Sequence, residues 1–566
     1  MNVIDEIKRR ILALNFLRMH ILFIAVLLVQ SHTYGVALRE INDGLILHLD
    51  KPAYFIGETI WYKIYNGSQT KAKAFYLELY DDDGNRIVVQ KCAVKNNISS
   101  GNLTLPNTLK TGRYALITSV DQTTKGYSRD ILVVNPQDEK TLLSKVPFNT
   151  ISSDLNERNK WNVKLELRNQ AISRREKVEL MLNLTDDQGK ALSGNFSIAI
   201  RDKSKTLAVP DFAFENKIVN TAKSHDPMVV KGKISSENGV DISDKMPLVL
   251  QLIVGNTAHS IITDKKGQFN IPIENELLGS NKVYFMNYRY FSENGFPLKL
   301  EFLNEKPASN PVFGILNHTY DLQNAAQKHI ERQATLSSFF ASGKDVYNSI
   351  EQSEIESGIR IVHEPDRLIV PDKYETLPTM QEVFRELVGT VRVRQTEDGF
   401  RIAIRHQDLE SVVRHQPLML VDGLPETDLD KILELNPREL EKIEVFFSKE
   451  KIIQFGITGS NGILSITTKK GDYSIESIPT YEVDGFARTN NFLSPDFGSD
   501  LKDCPTPDLR TLLYWNADIE ATKDGVILLD FYNSDSLGDI EVEIFGKTDA
   551  GQILSKKKVI KGINSL

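Results

Sequence analysis

Residues 45–65, LILHLDKPAYFIGETIWYKIY, decide how the first part of this chain folds. The segment opens with an apolar strand, turns at Lys51-Pro52 and enters a second strand after Gly57-Glu58. Both faces of that second strand carry large side chains, because Ile60, Tyr62 and Ile64 alternate with Trp61, Lys63 and Tyr65. A further strand follows Gly112 in KTGRYALITSV (110–120). Short strands joined in this way are typical of a β-sandwich.

The same strand-and-turn pattern recurs through most of the 566 residues. In each instance apolar and polar residues alternate around an Asp-rich or Lys-rich turn that ends in Gly, as tight hairpins require. At roughly 100–200 residues per domain, the length corresponds to about three to six domains. We therefore predict a mainly β, multidomain protein built as an array of Ig-like sandwiches; the hairpins lie at 77–89, 182–192, 260–273, 519–531 and 544–554.

Composition gives no sign of disorder or of a nucleic-acid partner. Hydrophobic residues make up 41% of the chain and charged residues 25%, which are ordinary values for folded proteins. The net charge of −8 is spread along the sequence without a basic stripe. Because nucleic-acid-binding surfaces concentrate Lys and Arg, we expect no nucleic-acid partner.

The first 35 residues have the order of a secretory signal. Basic residues precede the apolar run 21–29, and a polar stretch follows it up to Gly35. This run is shorter than the roughly 20 residues that a membrane-spanning helix needs. We predict a signal peptide over 1–35, with Met1 or Met19 as the start, and a mature protein in the periplasm or at the outer membrane. Membrane association would run through a partner rather than through a spanning helix.

Motifs for catalysis or for metal binding are missing from the sequence. The two cysteines, Cys92 and Cys504, are too few and too far apart for a disulfide framework or a Cys-based metal site. We find no HExxH, no GxSxG and no phosphate-binding loop. We therefore expect a protein that is not an enzyme and has no catalytic residue, metal or cofactor.

The segment 45–65 contains a signature that resembles the N-terminal domains of the macroglobulin family. Its residues are Asp50, Lys51, Pro52, Tyr54, Gly57 and Glu58. The resemblance implies macroglobulin-like β-sandwiches, which we place at 40–137, 150–225 and 474–566. The protease-trapping members of the family form a thioester in a Cys-Gly-Glu-Gln segment, and neither cysteine here has those neighbours. The resemblance therefore implies the scaffold without the covalent trap.

Two further segments lie between these sandwiches. Residues 226–305 resemble carboxypeptidase regulatory-like domains, which are also β-sandwiches. Residues 306–367 space their apolar side chains helically around 322–330, and we predict a helical connector there. A short amphipathic helix is predicted after Thr379, which is a plausible N-cap with Glu382 three residues later.

Residues 368–473 resemble the plug domain of TonB-dependent outer-membrane receptors, particularly those of Bacteroidota. The resemblance is carried by PLMLVDGLP (417–425), LNPRELEKIEV (435–445) and FGITGSNGILSITTKKG (455–471). It predicts a small α+β domain in which turns and caps fall at Asp422, Gly423, Asn436, Pro437, Gly456, Gly459, Asn461, Gly462 and Gly471. The stretch 448–454, SKEKIIQ, departs from the family pattern, so a surface that contacts a barrel is expected to differ there.

These features suggest a plug-like domain without its own barrel. A receptor barrel of about 22 strands needs at least ~220 residues, whereas 95 follow Gly471. We therefore expect an exported, non-enzymatic binding or scaffold protein associated with an outer-membrane transport or secretion complex. Its partner would be an outer-membrane barrel or another envelope protein. The alternative is a truncated macroglobulin relative that binds peptidases noncovalently.

Overall fold

The structure, a computed structural model, is mainly β, as the sequence predicts. No helix among the described residues is both long and apolar enough to cross a membrane. The signal-peptide prediction and most of the predicted connector lie outside the described residues, which are 44–67, 72–120, 125–138, 147–148, 161–168, 172–206, 217–220, 229–236, 249–254, 257–262, 264, 266–272, 278–287, 298–302, 318–319, 327–329, 359, 361, 363–397, 399–405, 416–474, 480–498, 505 and 507–562.

The chain divides into two compact units, and neither is continuous in sequence. Unit 1 comprises 1–223, 308–347 and 489–566, and unit 2 comprises 224–307 and 348–488. The strands of unit 1 are β1 (Leu45–Leu49), β2 (Ala53–Phe55), β3 (Thr59–Asn66), β4 (Ala74–Tyr80), β5 (Arg86–Ala93), β6 (Ile98–Thr104), β7 (Gly112–Val120), β8 (Lys125–Val134), β9 (Pro147–Phe148), β10 (Trp161–Leu167), β11 (Lys177–Asp186), β12 (Gly194–Asp202), β13 (Lys217–Asn220), β20 (His318–Thr319), β29 (Leu512–Ala521), β30 (Val526–Tyr532), β31 (Ile540–Thr548) and β32 (Ile553–Ile560).

The first sandwich of unit 1 packs the sheet β1-β3-β6 against the sheet β13-β8-β7-β4-β5. Strand β2 adds in parallel to β8, and every other pair is antiparallel. Alternation along each strand sends one set of side chains between the sheets. Their buried core includes Leu47, Ile60, Leu77, Leu116 and Val133.

The second sandwich of unit 1 is assembled from two distant parts of the chain. One sheet has the order β10-β11-β30 and the other β29-β12-β31-β32. Leu182 of β11 stands opposite Ile527 of β30, and β12 lies between β29 and β31. The shared core includes Leu180, Phe196 and Ile544. A long segment of the chain is therefore inserted between neighbouring strands of one sandwich.

This assembly corrects the prediction of separate sandwiches over 150–225 and 474–566. Residues 150–225 contribute three strands to the second sandwich, and residues 474–566 contribute four. Each of the two sheets contains strands from both segments. Either segment alone would leave the apolar side of its sheets open to water, which the hydrophobic effect disfavours. The predicted boundary is also corrected at β13, which pairs with β8 of the first sandwich.

Unit 2 contains a second kind of sandwich and an α+β module. Its strands are β14 (Val229–Ser236), β15 (Val249–Val254), β16 (Thr257–Ile262), β17 (Gln268–Pro272), β18 (Ser280–Asn287), β19 (Leu298–Phe302), β21 (Arg367–Ile369), β22 (Val391–Thr396), β23 (Gly399–Ile404), β24 (Leu418–Val421), β25 (Leu424–Glu426), β26 (Leu440–Phe446), β27 (Ile463–Thr468) and β28 (Thr480–Asp484). Its sandwich has the sheets β17-β14-β19 and β16-β15-β18-β28. Strand β28 comes from outside the predicted range 226–305.

The α+β module is built on the mixed sheet β21-β26-β27-β24-β25, in which β24 and β27 are parallel. The hairpin β22-β23 lies beside it. Its helical segments are Pro371–Lys373, Met380–Glu382 continuing into Val383–Val388, Leu429–Leu433, Pro437–Glu439, Lys449–Ile452, Ile453–Phe455 and Gly456–Gly459. Thr379 is confirmed as an N-cap, because its side chain accepts a hydrogen bond from the backbone N–H of Glu382.

Both faces of this mixed sheet are buried. One face packs against Phe384 and Val388 of the helix and against Ile402 of the hairpin. The other face packs against Phe455 and against Tyr284 of β18. Near-continuous apolar runs such as LMLV at 418–421 are the sequence counterpart of burial on both faces.

Candidate functional site

The carboxylate of Asp50 organises the turn that joins β1 to β3. Its Oδ1 accepts hydrogen bonds from the Tyr54 hydroxyl at 2.7 Å and from the Trp61 backbone N–H at 2.9 Å. Asp50 is fully buried. Burial raises the pKa of Asp50 to about 6, although Lys51 and the two hydrogen bonds favour the ionised form. Asp50 thus fixes the turn as an acceptor while its charge is poorly solvated.

The other residues of the signature lie in the same turn. The Lys51 ammonium contacts the Glu58 carboxylate at 2.7 Å, and the same carboxylate oxygen accepts from the Phe55 backbone N–H at 2.8 Å. Gly57 has a φ of +74°, which favours glycine, and the carbonyl of Pro52 accepts from Leu132. These contacts shape the sandwich and tie the turn to β8.

Two substitutions separate the acceptor role of Asp50 from its charge. Asp50→Ala removes the acceptor of two buried donors and should cost about 1–3 kcal/mol. Asp50→Asn keeps the acceptor oxygen and should be neutral or stabilising at pH 7. Since the folded pKa is raised above 3.8, the folded state binds more protons between pH 3.8 and 6, and the penalty of the ionised group disappears as the pH falls through this window.

Urea unfolding of both Asp50 variants at pH 7 and pH 4.5 tests this expectation. The advantage of Asp50→Asn over the natural chain should shrink at the lower pH. Equal losses in the Asn and Ala variants at pH 7 would contradict it.

The outer face of β3 packs against the second sandwich. The Tyr65 hydroxyl donates to the Phe545 carbonyl at 3.1 Å and lies 2.9 Å from the Ser197 hydroxyl. The Lys63 ammonium, which is fully buried, donates to the Asn195 side chain and to the Ala517 carbonyl. Burial lowers the pKa of Lys63 to about 8, against the attraction of Asp518. The large residues on both faces of β3 thus have partners on both sides.

A buried ion cluster lies in the same interface. Arg201 of β12 donates to Glu541 at 2.7 Å, to Glu543 and to the backbone carbonyl of Asp50. The Lys557 ammonium is 3.8 Å from Glu543. The side chains of Arg201 and Glu543 are 3% and 2% exposed, so little water screens them. Despite its burial, Glu543 has a pKa lowered to about 2 by Lys557 and Arg201.

His48, Ser197 and Glu543 lie next to one another in an order that resembles a hydrolytic triad. His48 Nδ1 is 2.7 Å from the Ser197 hydroxyl, and His48 Nε2 is 3.9 Å from a Glu543 oxygen. All three side chains are buried between the sandwiches. A serine nucleophile must reach its substrate, and Ser197 is already held by Tyr65. The arrangement therefore stabilises the interface and offers no access for catalysis.

The imidazole of His48 is neutral in this environment. It stacks on Phe545 with ring centroids 5.2 Å apart and tilts against Trp515 at 5.1 Å. Burial lowers the pKa of His48 to about 3, and Glu543 only partly offsets this. Within the described ranges, no three His, Cys, Asp or Glu side chains are placed to share a metal ion.

The residues of the plug-like signature fall on turns of the α+β module. Asp422 and Gly423 both have positive φ, +50° and +75°, and form the two-residue turn between β24 and β25. The Asp422 carboxylate accepts from the Thr468 backbone N–H and hydroxyl, both at 2.7 Å, and from the Tyr473 N–H at 3.3 Å. One side chain thus joins the first and third parts of the signature and the residue Tyr473 just after it.

Asp422→Ala is expected to destabilise unit 2 by about 1–3 kcal/mol, because two backbone donors and a hydroxyl lose their acceptor. Asp422→Asn should cost less, since Asn tolerates positive φ and keeps one acceptor oxygen. Hydrogen exchange of the β27 amides measures the effect. Exposed Asp472 provides the control, and Asp472→Ala should leave exchange unchanged; equal exchange in all variants would refute the role.

The remaining signature residues also have structural positions. Asn436 accepts from the Arg438 backbone N–H at 3.1 Å and is the N-cap, with Pro437 at the first helical position. Gly462 has a φ of +88°, and a Cβ there would approach Ile404 to 2.8 Å. Gly456 and Gly459 are the first and last residues of a short helix, Asn461 lies just before β27, and Gly471 lies just after it.

Sequence reasoning missed the buried cluster of Arg201, Glu543, His48 and Ser197. The available signal was the presence of large or polar side chains on both faces of β3 and β31, which indicates a strand covered on both sides. That signal does not identify the covering element.

Comparison with known proteins gives distant structural similarity. No family model and no curated protein match the sequence. Among solved structures, the chain is similar to trypsin-activated α2-macroglobulin from Escherichia coli (9% identity, TM-score 0.23, 92% of this chain and 41% of that one). It is also similar to Salmonella α2-macroglobulin reacted with methylamine (8%, 0.23, 92% and 39%) and to a DUF4785 family protein from Legionella pneumophila (9%, 0.14, 46% and 56%). The chain spans about two fifths of the length of these bacterial macroglobulins.

Proposed function

We propose that this chain is an exported, non-enzymatic binding or scaffold protein that works with an outer-membrane transport or secretion complex. Its module over 368–473 would engage a barrel supplied by another chain. The observation that carries the proposal is the mixed five-stranded unit, whose turns and caps hold the residues of the plug-like signature. The sequence resemblance to receptor plugs supports the same interpretation.

The described strands that follow the module along the chain belong to the sandwiches of the two units. Strand β28 joins the sandwich of unit 2, and the next strands, β29 to β32, complete the second sandwich of unit 1. The strands that directly follow the module are therefore used within the described sandwiches.

The surface of the module favours a protein partner. Among the described residues, three of the four most exposed large apolar side chains lie on it: Ile453 at 76%, Leu368 at 54% and Tyr374 at 51%. Ile453 falls in 448–454, where the sequence departs from the receptor pattern. Large apolar and aromatic side chains of this kind are ones that a protein partner would bury.

Crosslinking in intact cells that produce the tagged chain tests the proposal. We expect recovery of an outer-membrane barrel protein, and Ile453→Asp should reduce it strongly. Leu528→Asp is the matched control, because Leu528 is 60% exposed on the second sandwich of unit 1 and not on the module. Recovery of no barrel protein, or equal loss in both variants, would count against the proposal.

A further inference from the structure

The hairpin β22-β23 presents a face made largely of arginine. Alternation along the hairpin buries Val391, Ile402 and Ile404 against the module. The opposite face carries four exposed arginines, Arg392, Arg394, Arg401 and Arg405. No Lys occurs in either strand.

The strand register makes these four side chains one contiguous patch. Arg394 stands directly opposite Arg401, and Arg392 stands opposite Ala403. Arg392 is therefore the diagonal neighbour of Arg401 on one side and of Arg405 on the other. A face that gathers several guanidinium groups is positively charged, and an anion bound over it would be stabilised.

The ladder pattern also shows which backbone groups face outward. The Arg405 N–H donates to the Thr390 carbonyl at 2.8 Å, so residues 390 and 405 form a hydrogen-bonded pair. Such pairs recur at every second residue of an antiparallel ladder, so Arg392, Arg394 and Thr396 also bond to β23. The N–H and C=O groups of Val393 and Gln395 consequently point away from β23. In the described part of the chain, this hairpin pairs with no third strand.

We propose that an extended acidic segment of a partner protein adds to the outer edge of β22 as a third strand and places its carboxylates over the arginine face. The inference rests on the proposed function only in that the module binds another chain. Guanidinium groups match carboxylates in a two-point geometry, and strand addition supplies the backbone bonds. A lipid surface fits less well, because the residues beside the arginines are Ala403 and Thr396 rather than large apolar side chains that insert into a membrane.

Fluorescence anisotropy with the full chain and a labelled (Glu-Thr)6 peptide tests the proposal. The double variant Arg392→Ser/Arg394→Ser should weaken binding by about twofold to thirtyfold, since two exposed ion pairs are lost. The control Lys449→Ser/Lys470→Ser removes the same charge from exposed sites elsewhere on the module and should leave affinity unchanged. (Gln-Thr)6 should bind neither protein. Equal binding by both double variants would overturn the proposal.

Gln395→Pro tests strand addition separately from charge. Proline removes only an outward N–H at this position, so the hairpin should persist while the edge is blocked. We expect loss of peptide binding with unchanged circular dichroism. Peptide binding equal to the natural chain, or binding only to phosphatidylglycerol vesicles, would overturn the inference. If crosslinking recovers a barrel protein but the acidic peptide does not bind, this inference alone is overturned. If the acidic peptide binds but crosslinking recovers no barrel protein, this inference is supported and the proposed function is overturned.

Discussion

Replacing Arg201 by Ala is expected to destabilise unit 1 by about 3–5 kcal/mol, because Glu543 keeps a buried charge and loses its guanidinium partner. Arg201 also donates to Glu541 and to the Asp50 carbonyl, so one substitution removes contacts to both sandwiches. Lys557, at 3.8 Å, remains near Glu543 but is too distant to replace a hydrogen bond. Urea unfolding followed by tryptophan fluorescence measures the loss.

A double-mutant cycle separates the pair from its surroundings. Arg201→Ala/Glu543→Ala should cost much less than the sum of the single variants, because no uncompensated charge stays buried. The exposed pair Lys177–Asp530, on another face of the same sandwich, is the matched control and should show coupling within error of zero. Additive losses for Arg201 and Glu543 would show that the ion pair is not the source of the effect.

The sequence allowed the local structure to be predicted well. Alternation in 45–65 predicts the strands and the core position of Ile60 and Ile64, and Asp-Gly at 422–423 predicts the turn. These features depend on neighbours within a few residues, where side-chain direction and φ preference decide the outcome. The mainly β class follows from the same information.

The sequence did not allow the assembly of unit 1 to be predicted. Arg201 and Glu543 are 342 residues apart, and β11 pairs with β30 across a comparable distance. A hairpin pattern specifies the turn between two strands, but it does not specify which strand pairs with the free edge of the hairpin. Any strand with suitable alternation of apolar and polar residues can pair there. The insertion between β12 and β29 therefore becomes visible only in three dimensions.

In the candidate binding surfaces too, the local features can be predicted from sequence and the features that depend on strand pairing cannot. The plug-like turns are local and could be located at Asp422 and Gly462 from sequence. The arginine face of β22-β23 depends on register, because a shift of one residue would place Arg394 opposite the buried Ile402. Charge counts alone could not separate this face from a scattered set of exposed arginines.

The buried imidazole of His48 is expected to make unit 1 sensitive to acid. Its pKa is lowered to about 3 in the folded state by burial, and by the nearby cations Arg129, Arg201 and Lys557, while Glu543 acts in the opposite direction. The unfolded chain protonates His48 near the ordinary histidine pKa of 6.5, so the unfolded chain binds more protons than the folded chain between pH 6.5 and pH 3. Stability is therefore complete above pH 6.5 and falls as the pH drops below it.

His48→Asn removes the titrating group, and its comparison with the natural chain isolates this contribution from the opposite trend of Asp50. The stability advantage of the natural chain over the variant should fall by about 3 kcal/mol between pH 7 and pH 4, measured by urea unfolding. Ser197→Ala is the control, because it removes the same hydrogen bond and keeps the imidazole, so it should retain the natural pH dependence. Parallel pH profiles for the natural chain and His48→Asn would mean that the imidazole is accessible to protons in the folded interface, and the two sandwiches would then be held less tightly than their contacts indicate.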